Sequence, residues 1–249
     1  MKIFIKEIKG DILQITTTDE RWYSKTLPDG KQIFVPSVTW IASHYPKGVG
    51  FYKWLADKGW DEAEAIKEAA GDKGSKVHQG ICDLIDGKTI KIDSKFTNND
   101  TGVSEELKPE EYECLMSFVD WFNKTKPEIV DREFNIFNEE LNYAGTVDLL
   151  CRIEGKLTIV DFKTSKGVWM EHKLQISAYR KALEKKYPQE PIDMALLQVG
   201  YKLNKNKYKY NEIEDKFDLF LAAQRIWAEE CSNVKPLQKD YPLELKVNK

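Results

Sequence analysis

Gly145-Thr-Val-Asp-Leu-Leu-Cys-Arg-Ile153, the break Glu154-Gly-Lys156, and Leu157-Thr-Ile-Val-Asp-Phe-Lys163 form the stretch that decides the fold. Both long runs are rich in β-branched and apolar residues, and the polar break between them carries a turn glycine, so the pair predicts an antiparallel hairpin. Each run also holds a carboxylate among apolar neighbours, Asp148 after Val147 and Asp161 after Val160. A charge so placed is costly unless something positive compensates it. On adjacent antiparallel strands Asp148 and Asp161 can project on the same side and form a nest for a divalent ion. Asp161 and Lys163 stand two apart, so the strand period puts ammonium and carboxylate on one face. This is the geometry wanted for hydrolysis, in which a metal activates water and Lys163 orients it or neutralises charge on a scissile phosphate.

Working outward, the first run extends back to Leu141, and Glu128 to Phe137 adds a strand before the break Asn138-Glu-Glu140, which predicts a three-strand antiparallel meander. Glu171 to Lys186 has helical spacing with Ile176, Tyr179 and Leu183 on one face, and ends before Pro188. Ile192 to Tyr201 reads as a strand, Tyr201 to Tyr210 interleaves Lys with Tyr around a turn at Asn204-Lys-Asn206, and Ile213 to Glu230 reads as a final amphipathic helix carrying Phe217, Phe220, Leu221 and Trp227. Upstream, the chain to about Trp40 alternates apolar and polar residues around Leu27-Pro-Asp-Gly30, a hairpin signature. Tyr45 to Gly87 predicts two or three helices, with Gly50 to Ala56 amphipathic and Asp61 capping a longer stretch. Lys88 to Lys108, with Asn98-Asn-Asp-Thr-Gly102, reads as a loop, and Pro109 stands near the first turn of a helix that runs to Lys124. Trp22, Tyr23 and Trp54 are expected in the core. The expected organisation is one domain over 1–249: strands over 1–45, a helical region over 46–127, a catalytic sheet over 128–210, and a helix and tail over 211–249.

Composition narrows the function classes. With 41% hydrophobic and 32% charged residues the chain lies on the globular side of the charge–hydropathy balance. The 38 Lys+Arg against 41 Asp+Glu leave a net charge of −3, which excludes coating nucleic acid by bulk positive charge but allows a local basic groove. No apolar run is long enough to span a membrane, and charge breaks up the first ten residues, so a cytoplasmic protein without a signal peptide is expected. Cys82, Cys114, Cys151 and Cys231 include no CxxC pair, which argues against a zinc ribbon or an iron–sulfur cluster and for reduced thiols.

Further candidates flank the paired aspartates. Gln175 and Tyr179 are four apart on the helix after Lys163 and share a face. Gly74-Ser-Lys-Val-His78 places a histidine in a helical segment, and histidine is the commonest nitrogen ligand for a transition metal. Alone, a D-x-K tripeptide is usually an exposed ion pair and a lone histidine usually a core or surface fixture; the ordered combination carries the argument.

That combination, G-S-x-x-H, G-T-V-D, D-F-K and Q-x-x-x-Y, spans Gly74 to Tyr179 and resembles the PD-(D/E)XK nuclease superfamily, in particular its RecB-like exonuclease branch. Pro36 to Gly80 also looks like stand-alone phage nucleases. The resemblance implies an α/β restriction-endonuclease-like core, with a mixed central sheet flanked by helices. It implies Mg²⁺ or Mn²⁺, one or two ions, held by His78, Asp148, Asp161 and the carbonyl of Phe162, with Lys163 as catalytic lysine. Glu133 would stand near the metals, although Arg132 could equally pair with it, and Ser75, Gln175 and Tyr179 would position DNA. The cysteine group that some relatives use for an iron–sulfur cluster is missing, so no cluster is expected. Lys202, Lys205 and Lys207 are candidate strand-tracking residues, with a solvated hairpin as the equal alternative.

The expected activity is a metal-dependent deoxyribonuclease, an exonuclease preferring single-stranded DNA ends, serving recombination, repair or replication in a bacterial or phage-infected cell. The helical block from Tyr45 to Lys124 would roof the sheet. A recombination or single-strand-binding protein is a further expected partner. The alternatives are a catalytically silent nucleic-acid-binding or assembly module on the same fold and an RNA-directed nuclease.

Overall fold

The computed structural model describes residues 4–8, 12–17, 20–97, 104–231 and 235–236. Its first unit is an antiparallel sheet in the order β1 (Phe4–Ile8), β2 (Ile12–Thr16), β3 (Arg21–Thr26) and β4 (Gln32–Pro36). The predicted hairpin turn joins β3 to β4: Gly30 takes φ 81°, and Asp29 Oδ1 accepts from the Lys31 N–H at 2.9 Å. The strand pattern stops short of Trp40 because Ser37 accepts from the Trp40 N–H at 3.0 Å and caps α1 (Val38–Ser43).

Next come α2 (Val49–Lys58) and α3 (Trp60–Ile85), separated by Gly59 at φ 75°. Gly59 is the N-cap of α3, so Asp61 lies in its first turn, where it favours the helix dipole without capping. Trp54 is not in the core: α2 buries none of its residues, and Trp54 is 36% exposed. The stretch expected to be a loop contains a two-strand ribbon, β5 (Lys95–Thr97) and β6 (Ser104–Glu106); Asn98 to Gly102 lie outside the described residues. Pro109 opens α4 (Pro109–Thr125), where Glu111 Oε2 accepts from the Lys108 N–H at 2.7 Å. Lys76 on α3 is 1% exposed, with its ammonium 2.9 Å from Glu111 Oε1.

The chain then runs through β7 (Glu128–Asn138), β8 (Tyr143–Ile153), β9 (Lys156–Lys163), α5 (Met170–Leu183), β10 (Ile192–Val199), β11 (Tyr208–Glu212) and α6 (Phe217–Glu230). These strands form a sheet of order β11-β10-β9-β8-β7. The predicted meander is β7–β8–β9, and α5 carries the chain across so that β10 runs parallel to β9. Leu157, Ile159, Met194 and Leu196 pack with α1, α5 and α6, whereas Val160, Phe162, Leu197 and Val199 pack with α3 and α4. The result is the expected mixed central sheet flanked by helices. The first sheet leans on the start of β8, where Tyr23 and Val35 cover Ala144 and Ser37 bridges to it. Trp22 and Tyr23 are buried as predicted, and the four cysteines are free thiols. No helix among the described residues is long and apolar enough to cross a membrane.

Candidate active site

The β8–β9 ladder runs as far as Leu149↔Val160, one step short of Asp148 and Asp161. Past that pair the main chain of Phe162 serves side chains instead: its N–H donates to Asp148 Oδ2 at 2.8 Å, and its carbonyl accepts from His78 Nε2 at 3.1 Å. His78 arrives from α3, and its Nδ1 lies 3.4 Å from Asp148 Oδ1. On the α5 side, the ammonium of Lys163 lies 2.6 Å from Asp161 Oδ2 and 3.3 Å from Gln175 Oε1, while Gln175 Nε2 donates to the Tyr179 hydroxyl at 2.9 Å. The fork between the two strands thus lets groups from both helical layers meet.

β7 is distorted at the same level. Glu133 takes φ 42°, a left-handed geometry costing about 1 kcal/mol or more for a residue with a Cβ, and the paired residues pass from Arg132↔Leu149 to Phe134↔Val147 around it. In β8, Val147 and Leu150 join one core while Leu149 and Cys151 join the other, so the alternation slips by one at Asp148. Asp148 therefore turns into the fork instead of standing squarely on the face of Asp161.

Burial sets the electrostatics. Asp161 is 1% exposed; its Oδ2 lies 2.6 Å from the Lys163 ammonium, and no other donor reaches either carboxylate oxygen among the described residues. Burial, reinforced by the charge of Asp148 and opposed by Lys163, raises Asp161 to about 6. Burial acts on Asp148 too, but His78, Lys163 and the Phe162 N–H outweigh it and hold that carboxyl low. Burial likewise works against a charged His78, and Asp148 reverses the balance and raises it. Burial also pushes the Tyr179 hydroxyl far above its ordinary value.

An open cleft of about 440 Å³ lies over the fork, and Ser75, His78, Glu133, Asp148, Phe162, Gln175 and Tyr179 all line it. Asp161 and Lys163 adjoin it without forming its lining. Arg132 pairs with Asp86, its Nε donating at 2.7 Å, while Glu133 adjoins the Cys82 thiol; burial and then Glu133 push that thiol up to about 12. Lys202, Lys205 and Lys207 are exposed on the turn between β10 and β11 and do not line the cleft. Tyr210 in the same hairpin stacks on Trp121, with ring centroids 6.4 Å apart, and so faces the α4 side of the sheet. The expected helical roof is only partly helical. One wall is α3, and the other is Gln14, Arg21 and Tyr23 from the first sheet with Thr39 of α1. No local pattern in the sequence marks those four.

Among the described residues, no three His, Cys, Asp or Glu side chains are drawn together as a ready metal centre. The donor set still fits a hard divalent cation: two carboxylates, one carbonyl and one imidazole, with the buried Asp161 oxygens engaged by Lys163 alone. Residues 52–243 match the model of the PD-(D/E)XK nuclease superfamily. No curated protein matches the chain. The matched span takes in α3, the meander, α5 and β10, and with them every group at the fork. On that match and this architecture, the chain belongs to the PD-(D/E)XK nuclease superfamily.

Proposed function

We propose that the protein is a divalent-metal-dependent nuclease that hydrolyses phosphodiester bonds of DNA, working from single-stranded ends as the RecB-like exonucleases it resembles do. The observation that carries this reading is Asp161: a buried carboxylate whose one partner among the described residues is the Lys163 ammonium, next to Asp148 and beside an open cleft. Such a group is costly in a resting fold and useful to a cation. Asp148, Asp161, His78 and the Phe162 carbonyl would hold Mg²⁺ or Mn²⁺, which supplies activation of water and polarisation of the phosphate. Lys163 balances the charge of Asp161 before substrate arrives and charge on the phosphate afterwards. Gln175 keeps Lys163 aimed, and Tyr179 keeps Gln175 aimed. Glu133 adds a further carboxylate to the wall, and Ser75 a hydroxyl. The preference for single strands is supported by a cleft walled on two sides, which suits a flexible strand better than a duplex. Lys202, Lys205 and Lys207 would guide that strand, since their hairpin leaves β10 at the end of the sheet where Gln198 pairs with Lys163.

The test uses end-labelled single- and double-stranded oligonucleotides, an RNA strand and a closed single-stranded circle, each with Mg²⁺, Mn²⁺ or EDTA. Metal-dependent shortening of the linear DNA strand is expected, with Asp161→Ala and Lys163→Ala each at least about a hundredfold slower. Rapid cutting of the circle would refute the need for an end, and comparable rates on blunt duplex would refute the strand preference. Absence of cleavage under every condition would refute the enzyme and leave a binding module.

A further inference from the structure

The superfamily match begins at residue 52, so β1 to β4 and α1 lie outside it, yet Gln14, Arg21, Tyr23 and Thr39 line the cleft beside Asp148. These side chains are held in place. Gln14 is 9% exposed, and with its amide oriented to satisfy its neighbours its oxygen accepts from Arg21 Nη2 at 3.0 Å and Nε at 3.1 Å, and from the Tyr23 hydroxyl at 2.6 Å. That hydroxyl is 3.1 Å from Thr146 Oγ1, which in turn is 2.8 Å from Asn135 Oδ1. The chain of contacts runs from the first sheet to a residue two places before Asp148, on the same strand.

Arg21 is thus fixed by an uncharged amide, and no salt bridge involves it among the described residues. A guanidinium has five N–H donors and no acceptor, so those not engaged by Gln14 remain for a ligand. The cleft it faces carries the carboxylates of Glu133 and Asp148. A cation fixed on the first-sheet wall and carboxylates suited to a metal on the strands β7 and β8 beside it describe a channel for a polyanion. From this arrangement we infer that Arg21 is a phosphate-binding residue, taking the non-bridging oxygens of a backbone phosphate adjacent to the one that is cut, and that Gln14 and Tyr23 are positioning residues for it. The inference rests on the nuclease reading for its ligand class and assigns to the first sheet half of the substrate channel.

The experiment measures binding of a fluorescein-labelled 15-nucleotide single strand to the full chain in EDTA, where nothing is cut, between 50 and 200 mM KCl. Arg21→Gln is expected to weaken binding about five- to twentyfold and to lower the slope of log K against log salt by about 0.7, the value of one phosphate contact on a single strand. Arg21→Lys should keep the slope while losing several-fold in affinity, and it serves as the informative variant if Arg21→Gln does not fold. An unchanged slope and affinity in Arg21→Gln, or unchanged affinity in Arg21→Lys, would overturn the proposal. A lowered melting temperature with an unchanged slope would also overturn it, making Arg21 a clasp for the sheet. Cleavage by the wild type is scored separately. A slope change without cleavage supports the phosphate site and defeats the nuclease reading, and cleavage with an unchanged slope does the reverse.

Discussion

Replacing Gly145 with alanine would test whether packing holds the Lys163 side of the fork in place. A Cβ at that position would lie 2.6 Å from Tyr179 Cε1, 3.1 Å from its hydroxyl oxygen and 3.2 Å from Cζ. Carbon atoms rest at about 3.5–4.0 Å, so ring or strand must yield by roughly 1 Å. The ring has little freedom: Tyr179 is 2% exposed and its hydroxyl is tied to Gln175. Overpacking of this kind costs about 1–3 kcal/mol, which for a chain of this length lowers the melting temperature by roughly 2–12 °C. The displacement also has a route into the chemistry, through Gln175 to the Lys163 ammonium, and a shift of about 1 Å in a reacting group can cost a hundredfold in rate. The assay is a thermal melt with single-turnover cleavage for Gly145→Ala, and a second melt series in a Tyr179→Leu background. The smaller side chain removes the clash, so there the alanine should cost less than about 0.5 kcal/mol. Wild-type stability of Gly145→Ala, or an equal cost in both backgrounds, would refute the reasoning.

Three further outcomes are expected. His78→Ala should raise the metal concentration for half-maximal cleavage by at least about tenfold, with Mn²⁺ restoring more activity than Mg²⁺; an unchanged titration would leave His78 a purely structural residue. His172, which burial and the nearby Lys163 and Lys47 push down to about 3, stays neutral in the folded chain while its unfolded counterpart takes a proton near pH 6.5. Stability from this residue is therefore complete above pH 6.5 and is lost as pH falls towards 3, so urea titrations at pH 7.5 and 5 should show wild type losing up to about 2 kcal/mol relative to His172→Gln, and parallel losses would contradict this. Lys76→Ala should destabilise by about 3–5 kcal/mol because it strands the buried Glu111, whereas Lys76→Met with Glu111→Gln, which keeps an acceptor for the Lys108 N–H, should recover most of that loss; equal damage in both would show that the charge pair is not the cause.

The parts legible in the sequence were those set by local pattern. The β-branched and apolar runs around Asp148 and Asp161 and the turn at Glu154-Gly-Lys156 announce β8 and β9, and short separation makes their pairing nearly inevitable. The four-residue spacing of Gln175 and Tyr179 suffices to put both on one face of α5, and the structure turns that face to the cleft. What was not legible depends on tertiary context. Nothing about Glu133 as a residue type announces a left-handed φ. The amphipathic spacing of Gly50 to Ala56 gives a helix but not a partner for its apolar side, and α2 has none that buries Trp54. Arg21 sits in an ordinary strand pattern, and only the docking of that sheet on Ala144 brings it to the cleft.

At Phe162 the polar duties fall to the main chain, while the ring packs edge-on to Phe118 at 5.5 Å in the core shared with α3 and α4. The two jobs at this position can vary independently. A scan of side chains there reads only the hydrophobic job, and a swap to leucine or methionine leaves both hydrogen bonds on offer. The site is thereby shielded from mutation at one of its own contact points, since no codon change other than one to proline can delete the N–H and none can delete the carbonyl. Only a chemical edit of the backbone, such as an ester in place of the amide that donates to Asp148, could expose what that group contributes.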